Sequence, residues 1–276
     1  MEETQISAAD EAAPHGTPTL VSPAGVKIGY DIWGEGPPLV LIHGSFSDQI
    51  TNWRHVKPLL APHVTGYAMS RRGRGLTDRT EGHKLPDEIA DAVALIETIG
   101  KPVHLLGHSY GAAVALGAAA AVPDLVRKLV VYEAPWPHIV DDETIDALAG
   151  LGASGDWQGF SMRFFSQVLS VPQAELDAAQ HTEQWNQVLA DAPASLGDLR
   201  ALARHRFDPE DYRGLTMPVL LQTGSQSPPE LYVTGALASV LPSAIIGVLS
   251  GQAHEGMTTA PQQYADAVRN FVAVRR

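Results

Sequence analysis

The stretch that most constrains this chain of 276 residues is Gly107-His108-Ser109-Tyr110-Gly111, set between an apolar run at 103–106 and an alanine-rich one at 112–121. A Gly-x-Ser-x-Gly pentapeptide passing from strand to helix reads as a nucleophile elbow. The turn is so tight that the serine is forced into a strained backbone conformation. Glycines on either side remove side chains that would clash where strand and helix cross. Ser109 Oγ is then lifted out of the fold at a helix N-terminus, whose dipole favours a developing anion.

The surrounding sequence predicts the frame for that turn. Residues 19–33 alternate around Gly25, which predicts an antiparallel hairpin, and Gly34-Glu35-Gly36-Pro37-Pro38 predicts a turn. Short apolar runs follow at 39–42, 64–69, 103–106, 129–132, 219–222 and 244–249. Helical patterns lie near 51–60, 84–100, 109–121, 229–241 and 261–274. Strands apolar on both faces, alternating with helices, describe a mostly parallel sheet covered on both sides. The alternation breaks between about 135 and 215. Helix-like pieces near 141–150, 156–170, 173–190 and 194–204 there carry apolar residues three and four apart. Most of these are the buried faces of amphipathic helices; as a group they predict a helical cap inserted after the sixth strand, over Ser109. The expected organisation is a disordered acidic tail at 1–17, a core at 18–134 and 216–276, and a cap at 135–215.

Composition narrows the partners. A net charge of −12 argues against nucleic acid and anionic membrane surfaces, both of which need a basic footprint. With no cysteine there is no disulfide framework, thiolate metal site or cysteine nucleophile. No apolar run approaches the ~20 residues of a membrane span. The first residues carry Glu2, Glu3, Asp10 and Glu11 among alanines, without the basic and apolar regions of a secretory signal. A cytoplasmic location is expected, with a small-molecule substrate and a monomer or homodimer. His104 and His108, on strand and turn, form no metal pair, and Gly34-Glu35-Gly36 lacks the rest of a phosphate loop. No metal and no cofactor are expected.

A serine hydroxyl needs a base in reach, a group to orient that base, and donors for an oxyanion. Among eleven histidines, His254 is the expected base, because its loop follows the last strand and precedes the last helix. Backbone N–H groups suit the oxyanion because they need no reorganisation as charge appears. One is expected from Tyr110 and the other from Ser45, with Phe46 as second choice, in Leu41-Ile42-His43-Gly44-Ser45-Phe46. His43 shapes that loop and is placed with Trp136 at the substrate pocket.

With these residues in hand, the chain resembles the α/β-hydrolase superfamily over about residues 20–275. The resemblance rests on Ile42-His43-Gly44, on Ser70-Arg71-Arg72-Gly73-Arg74-Gly75, on Gly107 to Gly111, and on Gly251-Gln252-Ala253-His254. It implies an α/β-hydrolase fold: an eight-stranded, mostly parallel sheet flanked by helices, with the cap after the sixth strand. Two positions depart from the family pattern. Ser70 stands where many members have Asp. More consequentially, Gly224-Ser225-Gln226-Ser227 places Ser227 where most members carry the acid after the seventh strand. A serine cannot stabilise an imidazolium by charge. Glu133, ending the sixth strand, is therefore expected to take that role, as the acid does in certain relatives. Asp141 and Asp142 are weaker choices within the cap, and Glu255, next to His254, is expected to point away. Arg71, Arg72 and Arg74 are expected to form a loop held by carboxylates.

The order Ser109, Glu133, His254 matches the serine–acid–histidine order of this fold. A cofactor-free serine hydrolase acting on a small, largely apolar carboxylic ester or lactone is the expected activity. C–C bond hydrolysis, perhydrolysis or acyl transfer on the same residues, and a non-catalytic ligand-binding protein, stay open as alternatives.

Overall fold

Burial on both faces is what the central strands share. In the computed structural model, which describes residues 18–80, 82 and 84–273, β3 (Pro38–Ile42), β5 (Val103–His108), β6 (Val126–Tyr132) and β7 (Val219–Gly224) are buried along nearly all of their length. The tail expected at 1–17 lies outside the described residues. β1 (Thr19–Val21) and β2 (Lys27–Trp33) form the predicted hairpin, and β2 pairs antiparallel with β4 (Thr65–Met69). All other pairings are parallel, and with β8 (Ala244–Leu249) the eight strands run β1-β2-β4-β3-β5-β6-β7-β8. This is the α/β-hydrolase fold that the resemblance implies.

Two hydrophobic layers cover the sheet. On one face α2 (Leu85–Ile99), α3 (Tyr110–Ala121) and α8 (Thr234–Val240) contribute Leu95, Ile96, Val114, Leu116 and Leu237 to the larger core. α3 is apolar all round because it is buried along most of its length, with Ala120 and Ala121 at its end exposed, and its alanines let it lie close to β5 and β6. On the other face α1 (Lys57–Leu60) and α10 (Pro261–Ala273) pack Leu60, Tyr264 and Val268 onto Leu41, Leu106 and Tyr132. α9 (Gly256–Thr259) precedes α10. Two expectations shift here. The helix predicted at 51–60 contracts to α1, with turns before it. β8 is not covered on both sides: Ile245, Ile246 and Val248 are more than half exposed, because it is an edge strand with a neighbour on one side only.

Between β6 and β7 lie α4 (Asp142–Ala153), α5 (Trp157–Arg163), a π-helical turn at Phe164–Val168, α6 (Gln173–Ala179) and α7 (Glu183–Ala203). The helix expected across 173–190 breaks at Gln180, and extended backbone at Thr182 starts α7. The break expected near 191–193 does not occur. Pro193 sits inside α7, where the loss of one amide donor is outweighed by the burial of Ala192, Leu196 and Leu199 in a separate apolar cluster. That cluster also holds Ile145, Leu148, Phe160, Phe164 and Val168 of the insertion, together with Phe46 from the loop after β3. No helix among the described residues is long and apolar enough to cross a membrane.

Candidate active site

Three strand ends meet where the insertion faces the sheet. β5 turns into α3 through Ser109, whose φ of 56° and ψ of −125° put it in the strained region the pentapeptide predicts. A Cβ on Gly107 would collide with the Gly111 carbonyl oxygen, and one on Gly111 with the carbonyl oxygens of Ile42 and His43. Larger residues at either place would push strand and helix apart. The Ser109 N–H donates to the Tyr132 carbonyl at 2.9 Å, which ties the turn to β6.

β6 ends in Glu133, again at positive φ (51°) and fully buried. Its Oε1 accepts from the Gly224 N–H at 2.7 Å and from Thr223 Oγ1 at 3.0 Å. Its Oε2 accepts from His254 Nδ1 at 2.6 Å. Burial alone would raise the carboxyl pKa, but the His254 bond and charge and the Gly224 N–H outweigh it and hold Glu133 below its ordinary value. For His254 the same contact works in reverse. Burial lowers the imidazole, yet the hydrogen bond and charge of Glu133, with the charge of Glu255, leave it raised above 6.5. With Nδ1 committed to Glu133, Nε2 is the nitrogen left for the cavity that His254 and Ser109 share. Tyr232 stacks on the imidazole at 5.3 Å and 13°.

The expected acids in the insertion lie elsewhere in role: Asp141 accepts from the Thr144 N–H as the N-cap of α4, and Asp142 begins that helix. Glu255 departs from expectation. Its backbone opens α9, and its carboxylate comes within 4.8 Å of ligand atoms of both His108 and His254 rather than turning away. Those three could group around a cation by distance alone. His108, however, has Nδ1 3.2 Å from Asn52 Oδ1 and Nε2 3.0 Å from the His254 carbonyl, two acceptors of which a neutral ring donates to one. Burial and the neighbouring His254 keep the pKa of His108 well below 6.5.

The loop after β3 is fastened from below and from above. Arg71 N–H donates to His43 Nε2 at 3.1 Å, so His43 Nδ1 carries the proton and donates to the Gly44 carbonyl at 2.8 Å. Burial, then Arg71 and Arg74, keep His43 neutral. His43 is therefore a buried loop fastener, outside the cavity where it was expected. Trp136 is also displaced from expectation: it packs edge-on against Phe207 at 5.4 Å on the main core and does not line the cavity. Both errors have one cause, since adjacency in sequence to a site residue says little about where a side chain points. The Phe46 N–H donates to Ser195 Oγ of α7 at 2.9 Å, so of the two expected N–H donors in this loop that of Phe46 is already engaged. Ser45 Oγ donates to Asp198 Oδ2, also on α7, at 2.7 Å.

The arginines after β4 are held by carboxylates. Arg72 makes a two-pronged contact with Asp91 at 2.6 and 2.9 Å. Arg71 reaches Glu88 through two 3.2 Å bonds and Asp198 at 2.5 Å, and Arg74 reaches Asp198 at 2.6 Å. Ser70, in place of Asp, accepts from the Leu76 N–H and donates to the Arg74 carbonyl, so it closes its loop without a charge.

A cavity of about 780 Å³ opens above these groups. Ser45, Ser109, Tyr110 and His254 form its floor, and Phe164, Phe165, Val168, Trp185 and Val188 of the insertion line its upper part. Arg54, itself exposed, is the one lysine or arginine on the wall among the described residues. Sequence reasoning missed Tyr232, Ser195 and Asp198. A signal for the last two was present: Asp191, Ser195, Asp198 and Leu202 recur four, three and four apart, which puts polar residues on the face of α7 that must be buried.

Known proteins share this architecture. The model of the alpha/beta hydrolase family matches residues 39–267. A 2-(acetamidomethylene)succinate hydrolase of Mesorhizobium japonicum is 29% identical over 96% of this chain and 98% of its own length. The crystal structure of an alpha/beta hydrolase from Sphaerobacter thermophilus superposes with a TM-score of 0.80 at 28% identity, covering 93% of this chain and 100% of that one. An enol-lactonase structure from Burkholderia xenovorans gives a TM-score of 0.76 at 17% identity over 93% and 100% of the two chains, a likeness of fold. The strand order, the turn at Ser109 and the extent of these matches agree: the chain belongs to the alpha/beta hydrolase family, and it is a hydrolase.

Proposed function

We propose that the protein is a cofactor-free serine hydrolase that cleaves a largely apolar carboxylic ester or lactone through Ser109, His254 and Glu133. The observation that carries this reading is the 2.6 Å bond from His254 Nδ1 to buried Glu133, with the imidazole in the same cavity as a strained Ser109. His254 Nε2 takes the Ser109 proton as Oγ attacks the carbonyl carbon. The N–H groups of Ser45 and Tyr110 receive the oxyanion. His254 then returns the proton to the leaving oxygen, and a water activated by the same nitrogen releases the acid. Glu133 holds the tautomer and stabilises the imidazolium. His108 does not compete as the base, since its pKa is depressed and its ring is buried against the Asn52 side chain and the His254 carbonyl.

The lining supports a neutral, apolar substrate. A dicarboxylate such as the succinate in the name of the Mesorhizobium relative calls for paired cations, and among the described residues this wall offers Arg54 as its one lysine or arginine, beside Glu175 and Glu255. Helices α4 to α7 act as a cap that shapes the acyl and alcohol sites. The test is reaction with a fluorophosphonate, read by intact mass, on wild type and Ser109→Ala. One adduct on wild type and none on the variant is expected. A folded wild type that takes up no label overturns the reading.

A further inference from the structure

The geometry points to the C-terminal half of α7 as a positioning element for the oxyanion site: Ser195 and Asp198, from the cap, hold the loop after β3 so that the Ser45 N–H faces the reacting carbonyl. This rests on the serine-hydrolase reading above and adds residues outside the three that carry the chemistry.

The loop has no regular structure of its own, and Phe46 within it sits at φ 54°, a conformation non-glycine residues adopt only when their surroundings impose it. Three attachments to the insertion supply the imposition. The Phe46 N–H donates to Ser195 Oγ, which in turn donates to the Asp191 carbonyl at 2.9 Å. The Phe46 ring is planted in the core of the insertion, 4.8 Å from both Phe164 and Phe165 and 5.9 Å from Phe160. Ser45 Oγ donates to Asp198 Oδ2, an oxygen that also receives Arg74.

Asp198 reaches the other half of the oxyanion site as well. Its Oδ1 binds Arg71, whose Nη1 donates to the carbonyls of His43 and Gly44 and whose guanidinium lies 4.2 Å over the ring of Tyr110. One carboxylate thus ties both residues proposed to supply N–H groups, Ser45 and Tyr110, to the same helix. Every charged group in the chain of contacts is at most 2% exposed, so water does not screen the ion pairs among them. The consequence is that the oxyanion site is assembled only while α7 is seated on the core, which makes cap docking a condition for turnover rather than only a roof over the substrate.

Ser45→Ala tests this because it removes the Oγ–Asp198 bond and keeps the N–H. With a small p-nitrophenyl ester, kcat is expected to fall about 10- to 100-fold, part of the ~10²–10³ lost when an oxyanion donor is removed outright. KM is expected to stay within about twofold of wild type, and the rate of fluorophosphonate labelling to fall in parallel with kcat. Ser45→Thr, which keeps the hydroxyl, is expected to recover most of the loss. Asp198→Asn is expected to do more damage, and because it can also unfold the chain, Ser195→Ala is the second variant. It removes the Phe46 acceptor, and its expected loss is in kcat, again with KM held. If wild type labels and both Ser45→Ala and Ser195→Ala label at rates within about twofold of it, the positioning role is wrong. A lowered Tm with rates unchanged below it, or a rise in KM at constant kcat, overturns it equally. Failure of wild type to label defeats the serine-hydrolase reading instead, so the two ideas fail separately.

Discussion

The strand ends and the inserted helices solve different problems in the same cavity. At the strand ends each group is fixed by backbone: Ser109 by the turn at φ 56°, Glu133 by φ 51° and the Gly224 N–H, and His254 by Glu133. The inserted helices present Phe164, Phe165, Val168, Trp185 and Val188, fixed by packing against one another. Chemistry that needs atoms held to a fraction of an ångström sits on rigid elements, whereas a surface that must fit an apolar substrate can be built from exchangeable side chains. Substitutions at the strand ends should therefore abolish a step, and those of the insertion's apolar side chains, as distinct from Ser195 and Asp198, should shift its selectivity or the stability of the chain.

The largest effect is expected from Glu133→Gln. The amide keeps the shape and can still accept from Gly224, but it cannot stabilise the imidazolium. In the serine-protease example the equivalent change costs about 10⁴ in kcat, and a loss of that order is expected here. Ser227→Ala, at the position where most relatives carry the acid, should change kcat by no more than a few-fold if Glu133 takes that role as proposed. Ser227→Asp added to Glu133→Gln should recover part of the loss. Equal losses in Glu133→Gln and Ser227→Ala would dissolve the distinction between the two strand ends.

Next comes the insertion's own core. Phe160 is fully buried and touches Phe46, Trp157 and Phe164. Phe160→Ala should destabilise by about 3–5 kcal/mol, the usual result of emptying an aromatic site that cannot collapse. Urea denaturation with circular dichroism measures it. A change below about 1 kcal/mol would mean that the insertion is loosely packed, and that its contribution to the site is not structural in the sense argued above.

The sequence is unequal in what it shows of these regions. Strand and helix alternation is written in short-range periodicity, so seven of the eight strands behave as expected. β8 does not, because whether a strand lies at an edge depends on what packs beside it. The proposed role of Glu133 can be read because Ser227 empties the position that most relatives fill, and the neighbouring strand end offers a carboxylate on a long arm. Asp198, Ser195 and Tyr232 belong to no motif: Asp198 and Ser195 reach the loop after β3 across about 150 residues of chain, so their spacing on α7 marks a buried polar face but not what it touches, and Tyr232 meets His254 only because two neighbouring strand ends converge. Trp136 and His43 mislead for the opposite reason, being close in sequence to the site and turned away from it.

A smaller, more selective effect is expected at the cavity wall. Trp185 is buried beside Phe165 at 5.9 Å, with its Nε1 donating to Gln158 Oε1 at 2.6 Å. Trp185→Ala removes apolar wall without touching the strand ends. KM for a bulky aryl ester should rise about tenfold, while kcat for a short acyl ester stays within a few-fold, the range one pocket contact commands. Parallel losses for both substrates would show that the insertion acts on the chemical step through this residue too.

The last and smallest effect is a displacement along the pH axis. As the proposed base, His254 must be neutral in the free enzyme, so the acid limb of kcat/KM is expected to report its pKa. Glu133 and Glu255 hold that pKa above 6.5 against burial, so the limb should lie above the position of an unperturbed histidine. In Glu133→Gln the residual activity should show the limb moved to lower pH, because burial is then opposed by Glu255 alone. The pair also ties stability to pH with opposite signs. Raised His254 stabilises the fold fully below 6.5 and loses this as pH rises through its folded value. Depressed Glu133 stabilises fully above 4.5 and loses this as pH falls through its own. Their joint contribution is greatest between those two reference values, and Tm measured across that range should show a maximum in wild type that flattens in Glu133→Gln. An acid limb that stays in place in the variant would mean that the two groups, though 2.6 Å apart, are not electrostatically coupled in the free enzyme.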